Sequence, residues 1–326
     1  MNPFEYVQPQ SAEQAAALVS DGKAVLKAGG IDLLDQMKEG TIAPARLVNL
    51  NAVRELGSLR AEVGGLHVGA TVTLAELAGH DDVRRDFAAL AEAAGSAATP
   101  QIRNVATVGG NLCQRPRCWY FRSAEFDCLK KGGTVCFAQT GENRYHAIFG
   151  GGPSYIVHAS TLGTALAAWE ARLRLALPGG KSREVAIADF FVLPKVDETR
   201  ENVLKPGEVI TDIVVPAQPG TKSAYRAVKE RQVYDWPLGE VAVVLKLRGK
   251  LVEQARVVLG AAAPVPWRAP GAEQALVGKP VSAETAQRAG QAAVTGAKPL
   301  GDNAYKVPLF QALVERTVLA AAGLGA

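Results

Sequence analysis

Two glycine-containing stretches decide the fold: residues 28–38 read AGGIDLLDQMK, and residues 107–111 read TVGGN. The first stretch follows the short apolar run 24–28 and precedes an amphipathic pattern over 32–37 that ends at Gly40. This order predicts a strand, a glycine turn and a helix. Glycine lets a ligand approach the backbone closely, and the N-terminus of a helix has unpaired N–H groups that bind anions. Because the spacing is not GxGxxG, a doubly wound NAD-binding domain is disfavoured.

The second stretch places a hydroxyl, two glycines and an amide within five residues, at Thr107, Gly109, Gly110 and Asn111. Such a set suits a phosphate or the polar edge of a flavin. Each stretch taken alone is also typical of an ordinary tight turn. Only the two together, in this order, form a specific pattern.

Length and composition indicate a folded protein of several units. A chain of 326 residues is long enough for two or three domains with substantial cores. Hydrophobic residues make up 48% and charged residues 21%, which are ordinary globular values. The net charge of +4 is small and the basic residues are scattered, so a nucleic-acid footprint is not indicated. The apolar stretches are too short or too interrupted to span a bilayer, and the N-terminus does not resemble a signal peptide, which predicts a cytoplasmic protein by its own sequence.

Hydrophobic periodicity predicts mixed secondary structure along the whole chain. Strands are predicted over 24–28, 43–50, 66–73, 155–158, 172–176, 210–215, 241–247 and 251–259. Helices are predicted over 32–37, from Leu74, and over 83–98, 162–169, 283–295 and 309–322. The stretch 216–221 (PAQPGT) is the best candidate for a domain boundary, with an α+β unit after it.

All four cysteines lie in one irregular segment, residues 113–153, which we call the cysteine-rich segment. Their spacing is C-x4-C-x9-C-x7-C, for Cys113, Cys118, Cys128 and Cys136. Without an export signal, thiolate ligation is favoured over disulfides, and the lack of any CxxC pair favours an iron–sulfur cluster over zinc. The alternative is four thiols that serve only in packing. The histidines form no HExxH or comparable pattern, so none is nominated as a ligand or a catalytic residue.

With both glycine loops in place, the chain resembles the medium, FAD-binding subunit of the xanthine dehydrogenase and carbon monoxide dehydrogenase family. The resemblance extends to the segments VGATVTLAEL, QIRNVATVGGNLCQRPRCWYFR, GAAAPVPWRAPGAEQALVGK and NAYKVPL. It implies an α+β chain with a two-subdomain FAD-binding fold of the vanillyl-alcohol-oxidase type and a C-terminal α/β domain of the CO dehydrogenase flavoprotein type. The implied domains are 1–57, 58–217 with the cysteine-rich segment inserted, and 222–326.

The resemblance also implies which residues contact FAD. Lys27, Ala28, Gly29, Gly30, Ile31, Asp32, Leu33 and Leu34 would line the pyrophosphate. Thr107, Gly109, Gly110 and Asn111 would lie along the flavin, Ser160 and Thr161 towards the adenosine, and Lys229 within reach of the phosphates. The chain departs from the family pattern at Ile31 in place of threonine, at Ala159 and Thr161 within the usual HPSD, and at Ala227 in place of lysine.

The function implied is electron transfer within a molybdenum hydroxylase. A large partner subunit would hold the molybdenum cofactor, a small subunit two 2Fe-2S clusters, and this chain the FAD that serves an external acceptor, in a heterotrimer or its dimer. If a partner with a twin-arginine signal carried the complex out, its compartment would be the periplasm. The alternatives are a non-catalytic scaffold or cluster-only relay, a purine hydroxylase subunit of the xanthine dehydrogenase type, and a stand-alone FAD oxidase, which the lack of an identifiable proton-abstracting base disfavours.

Within that family, the cysteine-rich segment is similar to the flavin subunit of periplasmic-type aldehyde oxidoreductases, which holds a 4Fe-4S cluster. The segments that carry this likeness are RPRCWYFR, DCLKKGG and VCFA. Cys118, Cys128 and Cys136 are then the stronger ligand candidates. A further cysteine of that subgroup is Ser154 here, so the fourth ligand is Cys113, Ser154 or a group from outside the protein.

Overall fold

The computed structural model describes residues 1–231 and 234–324. The strands are β1 (Glu5–Val7), β2 (Ala24–Lys27), β3 (Arg46–Asn49), β4 (Leu59–Glu62), β5 (Gly65–Gly69), β6 (Arg172–Ala176), β7 (Ser182–Ala186), β8 (Val209–Pro216), β9 (Thr221–Lys229), β10 (Pro237–Arg248), β11 (Leu251–Gly260) and β12 (Trp267–Arg268). The helices are α1 (Ala12–Leu18), α2 (Ile31–Glu39), α3 (Leu74–Gly79), α4 (Asp81–Asp86), α5 (Ala88–Ser96), α6 (Pro100–Arg103), α7 (Val108–Cys113), α8 (Trp119–Arg122), α9 (Thr161–Ala168), α10 (Ile187–Phe190), α11 (Pro270–Leu276), α12 (Ala283–Ala293) and α13 (Lys306–Ala321).

The N-terminal unit is a small parallel sheet in the order β1-β3-β2. Its central strand β3 is apolar, and Leu47 and Val48 are buried. Helix α1 buries a stripe of alanines, because small residues let it lie close to the sheet. The core of this unit includes Val209 of β8, so the unit packs directly on the next sheet.

The second unit is an antiparallel five-stranded sheet in the order β4-β5-β8-β6-β7. Strand β6 alternates exposed arginine with buried leucine, as expected where one face of a sheet is solvated. Helices α3, α5 and α9 cover the other face around the fully buried Trp169. This unit brings β5, which precedes α3, close to the second glycine loop.

The C-terminal sheet is antiparallel, in the order β12-β11-β10-β9, and is buried on both faces. Along β10, Val241, Val243 and Leu245 join a core with α11, α12 and α13. The intervening Ala242 and Val244 face the core that contains α5 and α9. Because successive side chains point to opposite faces, a strand covered on both sides is apolar at nearly every position.

The cysteine-rich segment has little regular structure and ends against the C-terminal sheet. The N–H groups of Ile148 and Phe149 both donate to the Ala262 carbonyl, and Phe149 stacks on Trp267 with ring centroids 5.2 Å apart. Asn143 and Asp302 exchange hydrogen bonds between side chain and backbone. Residues 143–149 therefore pack with the C-terminal unit.

Two predicted elements are wrong in the structure. Residues 155–158 form no strand. Their backbone groups form isolated hydrogen bonds, such as the one from the His158 N–H to the Ala263 carbonyl, and do not pair with a neighbouring strand. The helix predicted over 83–98 is two helices, α4 and α5, interrupted at Phe87, whose backbone is not helical (φ −130°, ψ 47°). Strand β9 lies beyond the predicted boundary and was not predicted.

Within residues 1–231 and 234–324, no helix is both long enough and apolar enough to cross a bilayer.

Candidate functional site

A cavity of about 820 Å³ lies where the three sheet units meet. Both glycine loops line it, together with residues of β9 and of the segment before β10. Its volume falls within the range of pockets that bind small molecules and cofactors. The cavity therefore brings together the two sequence motifs that lie far apart along the chain.

The first loop uses its two glycines for different reasons. A Cβ atom on Gly29 would collide with the Val105 carbonyl oxygen, so this glycine lets the first loop approach the segment before the second loop. Gly30 is left-handed, with φ 76°, and is the N-cap of α2. No side chain caps this helix, so its first N–H groups are free to face the cavity. The helix N-terminus and the close loop together suit a bound anion.

The Asp32 side chain, in the first turn of α2, binds the cysteine-rich segment. Its carboxylate accepts hydrogen bonds from the Arg115 backbone N–H (2.8 Å), from Arg122 Nη2 (2.6 Å) and from Gln36 Nε2 (2.9 Å). Arg117 Nη2 also lies 3.0 Å away. Although Asp32 lines the cavity, its side chain holds the cysteine-rich segment against α2.

The second loop is built around two capping contacts. The Thr107 hydroxyl accepts from the Gly110 N–H and begins α7. The Asn111 Oδ1 atom accepts from the Ser160 hydroxyl at 2.7 Å and from the Leu162 N–H at 3.2 Å, which ties α7 to α9. Gly109 is buried, and a Cβ there would lie 3.0 Å from the Ala70 carbonyl oxygen. Part of the loop is thus needed for packing.

Most residues predicted to contact FAD line the cavity, and three do not. The lining residues are Lys27, Ala28, Gly29, Gly30, Ile31, Asp32, Leu33, Thr107, Gly110, Asn111, Thr161 and Lys229. Leu34, Gly109 and Ser160 are outside the lining and support it from behind. The roles of these residues towards a ligand stay predictions.

Sequence reasoning missed a third wall of the cavity. Residues 96–99, 204–208 and 234–237 line it, as does Tyr225. The Arg117 guanidinium stacks on Trp236, 4.5 Å from the ring centroid, which joins the cysteine-rich segment to the residues before β10. The Tyr234 side chain is among those that line the cavity. These residues have no shared motif, so only the tertiary contacts reveal them.

A buried polar cluster lies behind the wall formed by β9 and α9. Glu240 is fully buried, and its Oε1 atom lies 3.5 Å from the Thr161 hydroxyl. Burial raises the pKa of Glu240 to about 7, while the neighbouring Tyr225, Thr164 and Lys229 oppose that rise. Burial raises the Tyr225 pKa well above its usual value, and Glu240 adds to this effect. Thr161 stands where the family pattern has aspartate, and Glu240 of β10 places a carboxyl group beside it.

Cys113 differs from the other three cysteines because it lines the cavity. Cys113 ends α7 and lines the cavity, and burial raises its pKa to about 12. Within the described ranges, no group of three or more histidine, cysteine, aspartate or glutamate side chains is arranged to hold a metal ion. The four predicted cysteine ligands are therefore not assembled into a metal site in the described residues, and the set stays a prediction.

Around Cys118 the structure shows a donor that sequence reasoning set aside. His146 Nε2 lies 3.2 Å from Cys118 Sγ, and its buried Nδ1 atom has no hydrogen-bond partner in the part of the chain that the structure describes. Burial lowers the His146 pKa to about 4, so the imidazole is neutral at neutral pH. Backbone N–H groups of Phe121 and Tyr120 face the Cys118 sulfur, and Cys128 and Cys136 are close enough to act on its charge. The ring of Trp119 packs edge-on against His146.

Comparison with known proteins shows the same two-part organisation. Residues 2–218 match the FAD binding domain in molybdopterin dehydrogenase, and residues 223–321 match the CO dehydrogenase flavoprotein C-terminal domain. The chain is 35% identical to the aldehyde oxidoreductase FAD-binding subunit PaoB of Escherichia coli over 95% of each chain. It is 30% identical to the carbon monoxide dehydrogenase medium chain of Hydrogenophaga pseudoflava, over 98% of this chain and 96% of that one.

A solved structure of carbon monoxide dehydrogenase from Hydrogenophaga pseudoflava matches the whole chain, with a TM-score of 0.78 and 30% identity. The resemblance predicted from the glycine loops and its fold class are thus confirmed. On this evidence the chain belongs to the family of FAD-binding medium subunits of the xanthine and carbon monoxide dehydrogenase type, which are oxidoreductase subunits of molybdenum hydroxylases.

Proposed function

We propose that this chain is the electron-transfer flavin subunit of an aldehyde-oxidising molybdenum hydroxylase. The observation that carries the proposal is the cavity in which the N-terminus of α2 and the second glycine loop face each other. The aldehyde assignment rests on the likeness to the aldehyde oxidoreductase subunit, which extends over 95% of both chains. A large subunit with the molybdenum cofactor and a small subunit with 2Fe-2S clusters are the implied partners.

In this proposal the pyrophosphate of FAD binds at Gly30 and the free N–H groups that begin α2. Lys27 and Lys229 also line the cavity and supply positive charge. Thr107, Gly110 and Asn111 lie along the flavin. Among the described residues, no group meets hydrogen-bond geometry to the buried Tyr225 hydroxyl, so a polar group of the ligand would satisfy it. Ile31, which replaces a hydroxyl of the family pattern, contributes only apolar surface.

FAD supplies the chemistry of this site because it accepts electrons singly and releases them as a pair. The residues of this chain hold and orient it. The Arg117–Trp236 pair and the segment 204–208 form part of the cavity wall. An external acceptor then takes the electrons from the complex.

The test is to coexpress the chain with its two partner subunits and record the visible spectrum of the purified complex. We expect flavin absorbance close to one equivalent per chain, and rapid anaerobic bleaching by an aldehyde but not by a purine or by carbon monoxide. Bleaching by a purine alone would favour the xanthine dehydrogenase alternative. A complete complex without flavin would favour the scaffold alternative, which the replacements at Ile31 and Ala227 make worth testing.

We infer further that Cys118, Cys128 and Cys136 are the thiols available for an iron–sulfur cluster, with His146 the nearest additional donor. One support is the 3.2 Å contact between His146 and Cys118. The other is that backbone N–H groups face the Cys118 sulfur, because N–H groups stabilise negative charge on a cluster ligand. Among the described residues, these side chains do not form a closed ligand set.

Iron analysis of anaerobically purified complexes tests this inference. The partner subunit contributes its own iron, so each variant is compared with the unmodified complex. The variants Cys118→Ser, Cys128→Ser and Cys136→Ser should each lose the same amount of iron, which is about four atoms per complex for a 4Fe-4S cluster. Cys113→Ser, the matched control, should lose none. Equal iron in all variants would contradict the inference and leave the cysteines as packing residues. His146→Ala and Ser154→Cys then separate the candidates for the fourth ligand.

A further inference from the structure

The buried carboxyl group of Glu240 has no structural partner that neutralises it. Its Oε2 atom is buried without a hydrogen-bond partner, and no ion pair to Glu240 is found among the described residues. Glu240 lies opposite Ala227 in the pairing of β10 with β9, so the residue directly across the strands carries no charge. A buried acid in this setting is costly unless its charge is compensated or it holds a proton.

Glu240 is separated from the cavity by two hydroxyl groups. Thr161 and Tyr225 both line the cavity, and both hydroxyls face the Glu240 carboxyl group. The Tyr225 hydroxyl is buried and lacks a partner at hydrogen-bond geometry, so it is free to bond either to Glu240 or to a ligand. Gly260 leaves room for this group, since a Cβ there would lie 2.7 Å from Glu240 Oε2.

The charged groups around this cluster come from several elements. Lys229 on β9 faces Glu240, but its Nζ atom donates to the Ser96 carbonyl oxygen at 2.6 Å. Arg103 and Asp235 act on Lys229 with opposite effects. On α5, Glu92 accepts from the Tyr225 backbone N–H at 2.6 Å and is influenced by Arg226. Of these groups, the Tyr225 hydroxyl is the one that lies between the Glu240 carboxyl group and the cavity wall.

Resting on the proposed position of FAD in this cavity, we propose that Glu240 is a positioning residue that takes up one proton when the flavin is reduced and releases it when the flavin is reoxidised. Two electrons reach the flavin from the partner subunit. Thr161 is predicted to lie towards the adenosine, but the preceding Ser160 bonds to Asn111, which is predicted to lie along the flavin, so Glu240 also adjoins the flavin end of the site. The negative charge of the two electrons disfavours a second charge on this carboxylate. One proton from solvent therefore binds to a Glu240 oxygen, in addition to any that the flavin itself takes up. Tyr225 then donates its hydroxyl proton towards the cavity instead of towards Glu240.

The readout is the pH dependence of the flavin midpoint potential, measured by spectroelectrochemistry in the intact complex. If reduction binds one extra proton, the potential falls more steeply with rising pH, starting near neutral pH. The extra slope is about 30 mV per pH unit, since a tenfold change in the equilibrium constant of a two-electron couple corresponds to about 30 mV. Glu240→Gln should remove this extra slope, because the amide does not titrate.

Glu92→Gln is the matched control, because it removes a half-buried carboxyl group behind the same strand that does not line the flavin cavity. It should keep the steeper slope. Tyr225→Phe is a second variant that keeps the carboxyl group but removes the hydroxyl between it and the cavity, and it should reduce the extra slope. If Glu240→Gln does not retain flavin, the slope measured for Tyr225→Phe tests the role of Glu240 instead.

Suppose that flavin is bound in both complexes and that the slope is the same in Glu240→Gln and in the unmodified complex. This result would overturn the role of Glu240 and leave the proposed function standing. Failure of the unmodified complex to bind flavin would instead overturn the proposed function. The two failures are thus distinguished by the flavin content of the unmodified complex.

Discussion

Gly30 and Gly40, at the two ends of α2, differ in surroundings but not in backbone conformation. Both are left-handed, with φ 76° and 73°. A Cβ on Gly40 would meet open space, whereas Gly30 lies at the cavity and a Cβ there would come within 3.1 Å of the Lys27 side chain. The pair therefore separates backbone strain from an effect on the ligand.

Gly30→Val should lower the flavin content of the purified complex by at least tenfold, because the side chain strains the loop and fills the space beside the first N–H groups of α2. Gly40→Val should keep its flavin, although it carries a similar strain of about 1–3 kcal/mol. Flavin absorbance per chain and the thermal unfolding midpoint are measured for both. Equal flavin retention in the two variants would argue against anion binding at this helix.

At the scale of elements, α2 is the link between the cavity and the cysteine-rich segment. Asp32 in its first turn binds the backbone of Arg115 and the side chain of Arg122, whose own side chain is only 10% exposed. Asp35, one turn later, is 46% exposed and bonds to Arg117 at 3.1 Å. One helix thus presents its N-terminus to the cavity and a partly buried carboxylate to the segment.

Asp32→Asn should loosen the cysteine-rich segment by about 2 kcal/mol, since it weakens charge-assisted hydrogen bonds and leaves buried arginine with less compensation. Asp35→Asn should cost less than about 1 kcal/mol, as expected for an exposed pair. Limited proteolysis within residues 113–153 measures the difference. Equal cleavage rates in both variants would show that Asp32 does not hold the segment.

At the scale of the whole molecule, Lys306 joins the end of the cysteine-rich segment to the C-terminal sheet. Its Nζ atom donates to the Ala261 carbonyl at 2.7 Å and to the Tyr145 carbonyl at 3.2 Å. Burial lowers the Lys306 pKa to about 7, far below that of a lysine in an unfolded chain. The unfolded protein therefore binds more protons than the folded protein between pH 7 and about 10.

This difference predicts that Lys306 makes the free energy of unfolding rise with pH, by at most about 1.4 kcal/mol per pH unit above pH 7. Lys306→Met should remove that contribution and flatten the profile between pH 7 and 9. Lys298→Met, at an exposed lysine nearby, should leave the profile unchanged. Urea unfolding at three pH values provides the comparison, and a profile in Lys306→Met as steep as in the unmodified protein would refute the shifted pKa.

Local patterns were sufficient for the family and for much of the cavity. The runs before and after Gly29 and Gly30 predicted β2 and α2, because a glycine turn between an apolar run and an amphipathic run has few alternatives. The two glycine loops also identified two walls of the cavity. The same patterns did not show that the Asp32 carboxylate binds Arg115 and Arg122, because these two residues lie about 80–90 positions away, in the cysteine-rich segment.

What the sequence by itself determined is the fold class, the family and the position of the glycine loops, because each depends on residues close together in the chain. The tertiary structure alone decided that Cys113 lies in the cavity, that His146 contacts Cys118 and that Glu240 lies behind Tyr225. These contacts join residues of different elements. Periodicity describes which side of an element is buried, but the partner that it meets is set by how the sheets and the irregular segment pack together.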